Sequence, residues 1–218
     1  MNDKIAQFLS VAFHPLLMPT YLLATLFFLS PEVIPGLQAY QSTNNEALIQ
    51  IGFKENLLFL IFLSTFLMPS SLIYYLYKIK IINSLKMEDL PSRRIPYLTT
   101  FLLYLFFGLF VKYKLPVLNE ISLFILSISA CLFAVLIISF FWKISAHTIG
   151  IGGALGLFLA IYFKKGADQL FIPILISIVL VGLVSAARLK LNAHSPMQVI
   201  VGFGLGLSIS VSSIYLYL

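Results

Sequence analysis

Long apolar runs alternate with short polar stretches along this chain, and the runs predict seven helices. Judged by their charged or turn-rich borders, the runs cover residues 8–30, 57–77, 97–111, 121–141, 149–163, 170–187 and 198–218. Several have only about 15 residues, whereas about 20 are needed to cross a bilayer without help. Six spanning helices plus one re-entrant or tilted piece is therefore an alternative to seven spans.

The composition places these helices in a membrane. Of the 218 residues, 60% are hydrophobic and 10% are charged, and the mean hydropathy is +1.01; a soluble domain carries about 25% charged residues. We predict an all-α fold, a polytopic transmembrane helical bundle of six to seven membrane-spanning helices that forms a single membrane-embedded domain over residues 1–218. The net charge of +6 suits anionic lipids or substrates. Nucleic acid is not an expected partner, because the chain lacks basic blocks with interleaved aromatic residues.

Three polar stretches are expected on the same face of the membrane. Two apolar runs separate residues 78–96 from residues 143–148, and two more separate the latter from residues 188–198. If all seven runs cross the bilayer, an even number of crossings returns each stretch to the same side. We therefore predict that the three stretches meet.

These stretches carry nearly all the candidate site chemistry of the chain. Convergent arginine and lysine side chains with a hydroxyl suit a tetrahedral oxyanion such as phosphate. Two histidines suit phosphoryl transfer, in which one attacks as a neutral nucleophile and the other protonates the leaving oxygen. No Cys, His and carboxylate cluster has the spacing of metal ligands, so we expect neither a metal nor a cofactor. The residues are Lys86, Arg93 and Arg94 in the first stretch, Ser145 and His147 in the second, and Arg188, His194 and Gln198 in the third.

Spacing in the third stretch suggests how its side chains converge. Arg188 and His194 are six residues apart, so a helix break at residues 192–193 would let both point at one spot. His194 and Gln198 are four apart and lie on one face if the last helix begins near His194. The Gln198 amide oxygen could then hold the imidazole Nδ1–H. Pro196 fits the first turn of such a helix.

The three stretches resemble the motifs of the type 2 phosphatidic acid phosphatase (PAP2) superfamily over about residues 86 to 205. That family pattern is Lys-x6-Arg-Pro, then Pro-Ser-Gly-His, then Ser-Arg-x5-His-x3-Asp. The chain departs from it in three ways: the proline of the first motif is displaced to Pro96, the second motif has Ile144 and Ala146 in place of proline and glycine, and the third has Ala187 and Gln198 in place of serine and aspartate. The matching positions are Lys86-x6-Arg93, Ser145-Ala146-His147 and Arg188-x5-His194-x3-Gln198.

The resemblance implies a role for each of these residues. His194 would be the nucleophile that forms a phosphohistidine, and His147 would be the general acid for the leaving alcohol. Gln198 would orient His194, although a neutral amide cannot stabilise the cationic ring as a carboxylate does. The residues that hold the phosphate would be Lys86, Arg93, Ser145 and Arg188, with Arg94 beside them unless it serves as a positive-inside anchor.

The predicted function is that of an integral membrane phosphatase that hydrolyses a lipid phosphomonoester or pyrophosphate without a metal. Candidate substrates are phosphatidic acid, phosphatidylglycerophosphate, a polyprenyl pyrophosphate and a lipid A phosphate. A non-hydrolytic binder or transporter that has lost catalysis through Gln198, and a phosphotransferase that uses another acceptor, stay open as alternatives. The partners are the lipid substrate and the membrane lipids, and the sequence sets no oligomeric state.

The charge pattern does not orient the chain in the membrane. Apart from the four proposed phosphate cations, five basic residues lie on the motif side and five on the opposite side. The positive-inside rule is therefore balanced. The resemblance implies a bacterial inner membrane with the site facing the periplasm.

Other polar and small residues near the stretches are expected to have structural roles. Lys143 and Lys190 suit interface anchors, and His14 is expected at the interface or packed near the bundle. Small residues let helix backbones approach closely. The glycines expected to act in this way are Gly150, Gly152, Gly153, Gly156, Gly202, Gly204 and Gly206.

Overall fold

The computed structural model of the protein describes residues 1–37, 52–85, 87 and 89–217. All regular structure in these residues is helical, which confirms the all-α prediction. The α-helices described are α1 (Asp3–Ala12), α2 (Met18–Leu29), α3 (Phe53–Phe62), α4 (Met68–Lys78), α5 (Leu90–Lys114), α6 (Asn119–Ile138), α7 (Ala146–Lys165), α8 (Phe171–Lys190) and α9 (Pro196–Tyr217).

Seven stretches of this part of the chain are long and apolar enough to cross a membrane. They correspond to the seven predicted runs and agree with the prediction of six to seven spanning helices. The short runs 97–111 and 149–163 belong to α5, with 25 residues, and α7, with 20 residues. Each helix continues past its apolar run because its polar ends can lie at the membrane surface. The seven spans are Asp3–Leu29, Phe53–Lys78, Leu90–Lys114, Pro116–Ile138, Ala146–Lys165, Asp168–Lys190 and Pro196–Tyr217.

The first span is broken at Pro15. His14 caps a short 3₁₀ turn, Pro15–Leu17, and accepts a hydrogen bond from the Leu16 N–H at Nδ1 (3.3 Å). The break separates α1 from α2, so α1 can take its own direction. It packs against α8, and the Asp3 carboxylate pairs with the Lys190 ammonium at 3.5 Å.

The second span contains a π-helical segment, Leu63–Leu67, between α3 and α4. A π segment disturbs the regular backbone ladder and frees carbonyl groups that need other donors. The buried Tyr104 hydroxyl of α5 donates to the Thr65 carbonyl at 2.7 Å. This hydrogen bond satisfies two polar groups in the bundle interior and joins the second span to the third.

Helix α7 is the most buried of the seven spans, and α9 packs closely along it. Four of the predicted packing glycines make this approach possible. A Cβ built on Gly202 would lie 2.5 Å from Thr148 Oγ1, and one on Gly206 would overlap the Ile149 carbonyl. Gly152 and Gly156 of α7 face α9 backbone in the same way. Gly204 is different, because a Cβ there meets nothing within 4 Å.

We expect Gly206→Ala to destabilise the protein, because its methyl group would force α7 and α9 apart. Overpacking of this kind costs about 1–3 kcal/mol, and the thermal midpoint in detergent should fall by several degrees. Gly204→Ala is the matched control on the same helix, and it should leave the midpoint unchanged or raise it slightly. Equal effects of the two substitutions would contradict this account of the α7–α9 contact.

Candidate functional site

The three polar stretches meet at one end of the bundle. The N-termini of α5, α7 and α9 lie there together with the C-terminus of α8. The Ser145 backbone N–H, just before α7, donates to the backbone carbonyl of Gln198 in α9 at 3.3 Å. The Arg93 guanidinium on α5 reaches the Ile144 carbonyl at 3.4 Å. These contacts confirm the prediction that the three stretches meet.

A cavity of about 320 Å³ opens at this end. Four of the predicted site residues line it together, namely Arg93, His147, Arg188 and His194. They come from three separate stretches, so the cavity exists only in the folded bundle.

Arg93 is buried in the cavity wall, with only 7% of its surface exposed. Its Nε–H donates to the Met87 carbonyl at 2.7 Å, and one terminal nitrogen reaches the Ile144 carbonyl. A guanidinium has five N–H donors. Two are directed at backbone carbonyls, and these contacts hold the group in place while others can bind an anion.

Arg188 lies in the last turn of α8, where the negative end of the helix dipole favours a cation. One terminal nitrogen donates to the Ser10 hydroxyl at 3.2 Å. Its Nε is buried and has no hydrogen-bond partner in the part of the chain that the structure describes. A buried donor without a partner is costly, so Arg188 retains capacity to bind an anion.

The chain breaks between Arg188 and His194 as the spacing suggested. Helix α8 ends at Lys190, Asn192 has a positive φ of 50°, and α9 begins at Pro196. The break turns the chain so that both side chains face the cavity.

Gln198 sets the tautomer of His194. Its Oε1 accepts the Ser195 backbone N–H at 3.2 Å, which identifies that atom as the oxygen. The same oxygen lies 3.2 Å from His194 Nδ1. An amide oxygen can only accept, so Nδ1 carries the hydrogen and Nε2 has the free lone pair. This lone pair is the one available to attack an electrophile.

His194 is held neutral by its surroundings. Burial and the positive charge of Arg188 lower the pKa of His194 to about 4, although the hydrogen bond with Gln198 acts in the opposite direction. The neutral ring is the nucleophilic form. His194 is therefore ready to act as a nucleophile at neutral pH.

We expect the His194 ring to titrate with a pKa of about 4 rather than 6.5, the ordinary value for histidine. Histidine-selective NMR of the full chain in detergent would measure this, with His194→Gln identifying the resonance. Below pH 4 the ring should be charged, and above it the ring should be neutral. A midpoint near 6.5 would contradict the description of this pocket.

His147 lies in the first turn of α7, and its ring is held by a residue of α1. His147 Nε2 is 3.0 Å from the Ser10 carbonyl oxygen. Because a carbonyl only accepts, Nε2 carries a hydrogen in this contact. Nδ1 is then the atom through which His147 can exchange a proton with a bound molecule.

Ser145 does not line the cavity but caps the helix that carries His147. It is fully buried, its hydroxyl oxygen accepts the Thr148 N–H at 3.5 Å, and its carbonyl accepts the Thr148 hydroxyl at 3.1 Å. Such an N-cap fixes the start of α7. Gln198 does not line the cavity either, and it contacts the cavity residue His194.

Arg93 and Arg94 point in different directions. Consecutive residues of a helix are about 100° apart, so only one of them can face the cavity. The Arg94 guanidinium stacks over the Phe140 ring, 4.7 Å from its centroid, and is not a cavity-lining residue. Lys86, the third cation predicted from the first stretch, lies outside the described residues.

Two polar residues of the first span, Ser10 and His14, belong to the cavity wall although neither is part of a motif. Ser10 contacts both Arg188 and His147, and His14 lines the cavity beside them. A serine in an apolar run and a histidine before a proline were the only sequence features at these positions. Neither feature says which helices they will meet.

The family model of the PAP2 superfamily matches residues 137–218. This confirms the resemblance over the part of the chain that carries Ser145, His147, Arg188, His194 and Gln198. Arg93 lies before the matched part and reaches the site through α5. Searches of curated proteins and of solved structures gave no match for the chain.

Proposed function

We propose that the protein is a lipid phosphatase that releases phosphate from a lipid phosphomonoester or pyrophosphate through a phosphohistidine on His194. The observation that carries the proposal is the convergence of two arginines and two histidines on one cavity at one end of the bundle. The PAP2 superfamily match over residues 137–218 supports the same chemistry.

In this proposal the arginines bind the phosphoryl group. Arg93 and Arg188 approach the cavity from α5 and α8, and both have N–H donors beyond those already bound to protein atoms. Two guanidinium groups would balance the charge of the phosphoryl oxygens and stabilise the charge that develops in transfer.

The first step forms a bond from His194 Nε2 to phosphorus and breaks the bond from phosphorus to the leaving oxygen. Protonated His147 gives its Nδ1 proton to that oxygen, so the leaving group departs as a neutral alcohol or a protonated lipid phosphate. Gln198 keeps the His194 ring oriented while the ring carries the phosphoryl group.

In the second step water attacks the phosphorus of the phosphohistidine. His147 Nδ1 takes a proton from that water, and the bond between phosphorus and nitrogen breaks. Phosphate leaves, and His194 returns to its neutral form. Each histidine ends the cycle in the protonation state in which it began.

A lipid substrate is supported by the apolar surroundings of the site. An apolar cavity adjoins the polar one, and the two share the wall residues Pro15, Leu16, Leu132 and Ala146. A substrate with its phosphoryl group at the arginines could therefore direct its apolar part toward the small cavity, about 60 Å³, between α2, α6 and α7. The resemblance supports an orientation with the site facing the periplasm of a bacterial inner membrane.

The test is a phosphate-release screen with the purified full chain in detergent, in the presence of EDTA. The substrates are phosphatidic acid, phosphatidylglycerophosphate, a polyprenyl pyrophosphate and a lipid A phosphate. We expect at least one to be hydrolysed at an EDTA-resistant rate. No phosphate release from any of them would overturn the proposal.

Gln198 is the observation that favours a second candidate, a non-hydrolytic binder or transporter of lipid phosphate. Its amide orients His194 but adds no negative charge beside the phosphorylated ring. Vanadate binding without phosphate release from any substrate would favour this candidate. Transfer of labelled phosphate to an added acceptor lipid would instead indicate a phosphotransferase.

A further inference from the structure

His14 faces the same cavity as the residues of the motifs, although it comes from the first span. It lines the cavity with Arg93, His147, Arg188 and His194. Its ring lies edge-on to that of His147, with the centroids 5.7 Å apart and the planes at 80°. His14 lies outside residues 137–218, so the family match does not include it.

The segment that carries His14 is attached to the site at several points. The Ser10 carbonyl accepts from His147, the Ser10 hydroxyl accepts from Arg188, and Asp3 pairs with Lys190. These contacts, near both ends of α1, hold the helix against α7 and α8. His14 follows one turn later and is therefore held in a defined place.

Backbone capping fixes which nitrogen His14 can offer. The Leu16 N–H donates to His14 Nδ1 at 3.3 Å, so Nδ1 is an acceptor and the hydrogen of the neutral ring is on Nε2. Among the described residues, Nε2 has no hydrogen-bond partner. The ring thus has one N–H donor left for a molecule in the cavity.

The His14 donor lies near the place where the leaving group of a substrate would be, next to the proposed acid His147. His14 is the ring neighbour of His147, the proposed leaving-group acid. The next two residues, Pro15 and Leu16, line both the polar cavity and the adjoining apolar one. His14 therefore lies in the polar cavity next to two of the residues that adjoin the apolar one.

We propose that His14 is a substrate-binding residue that donates its Nε2–H to the polar group linking the phosphoryl centre to the lipid tail. That group is a glycerol oxygen in a glycerolipid phosphate and the second phosphate in a polyprenyl pyrophosphate. The role rests on the proposed phosphatase function and adds a determinant of specificity to it. A phosphate ester without such a linker gains nothing from His14.

Two substitutions of His14, by asparagine and by glutamine, distinguish substrate binding by its Nε2–H from capping of the Leu16 N–H by its Nδ1. In His14→Asn, the side-chain oxygen can still accept the Leu16 N–H, as asparagine does at N-caps, but the distal donor is lost. In His14→Gln, the longer side chain places an amide N–H near the position of Nε2. The assay uses p-nitrophenyl phosphate and the lipid that the wild type hydrolyses fastest in the phosphate-release screen.

We expect His14→Asn to lower kcat/KM for the lipid substrate about tenfold, mainly through a higher KM, as for loss of one hydrogen bond. The kcat/KM for p-nitrophenyl phosphate should stay within about twofold of wild type. His14→Gln should recover most of the lipid activity. Size-exclusion chromatography in detergent checks that each variant is folded.

Three outcomes would overturn the role of His14. They are wild-type lipid kinetics in His14→Asn, an equal loss for both substrates, and a loss in His14→Gln that His14→Asn does not share. If His14→Asn does not fold, the glutamine variant still decides, because a tenfold loss of its lipid activity contradicts the donor role. Failure of the wild type to release phosphate from any substrate would instead overturn the proposed function.

Discussion

Replacement of His194 by alanine is expected to abolish both phosphate release and the phosphorylated intermediate. The lone pair of Nε2 is the proposed nucleophile, and the tautomer set by Gln198 directs it to the cavity. Loss of a covalent nucleophile should reduce the rate by at least about a thousandfold. Incubation with a ³²P-labelled lipid phosphate, followed by an alkaline quench, would measure the intermediate directly.

The labelled protein carries a chemical signature that identifies the residue type. A phosphohistidine survives alkali and is released by mild acid, unlike a phosphoserine. Lys165→Ala serves as the control, because Lys165 is exposed at the far end of α7. It should retain both the label and the activity.

The His194→Ala variant should still bind vanadate, since Arg93 and Arg188 remain in the cavity wall. Retained binding would show that the variant is folded and that only the chemistry is lost. Undiminished phosphate release in this variant would sink the phosphohistidine mechanism. That result would not contradict the proposal that the cavity binds a lipid phosphate.

Replacement of His147 by glutamine is expected to reduce activity to a degree that depends on the leaving group. General acid catalysis contributes about 10²- to 10⁴-fold, and this contribution is needed most when the leaving oxygen is strongly basic. Hydrolysis of a lipid phosphomonoester, which leaves as an alkoxide unless protonated, should therefore fall by about that factor. Hydrolysis of p-nitrophenyl phosphate, which has a weakly basic leaving oxygen, should fall far less.

Glutamine is chosen because its amide N–H can keep the hydrogen bond that His147 Nε2 makes to the Ser10 carbonyl. The variant thus preserves the contact with α1 and removes only the proton donor. The measurement is kcat/KM for both substrates in the same detergent preparation. Equal losses for the two substrates would assign His147 to binding or folding instead of proton transfer.

The first motif could not predict which of Arg93 and Arg94 faces the cavity. The first motif is displaced in this chain, because the proline expected after the arginine stands at Pro96. Either arginine could then occupy the phosphate-binding position. The helix decides, since it places Arg93 in the cavity wall and Arg94 over Phe140.

For Ser145 and Gln198 the sequence predicted where the side chains lie but not which hydrogen bonds they make. The spacing placed both near His147 and His194. It could not predict that the Ser145 hydroxyl would cap α7 or that the Ser195 N–H would orient the Gln198 amide. These are choices among competing hydrogen bonds, and they depend on the exact ends of α7 and α9.

The sequence by itself determined the seven candidate spans and the meeting of the three polar stretches. Hydrophobic length marks each span, and an even number of crossings returns the chain to the same side. Only the tertiary structure brought Ser10 and His14 into the cavity. The break at Pro15 and the packing of α1 on α8 place them there, and such contacts between distant segments leave no periodic signal in a single sequence.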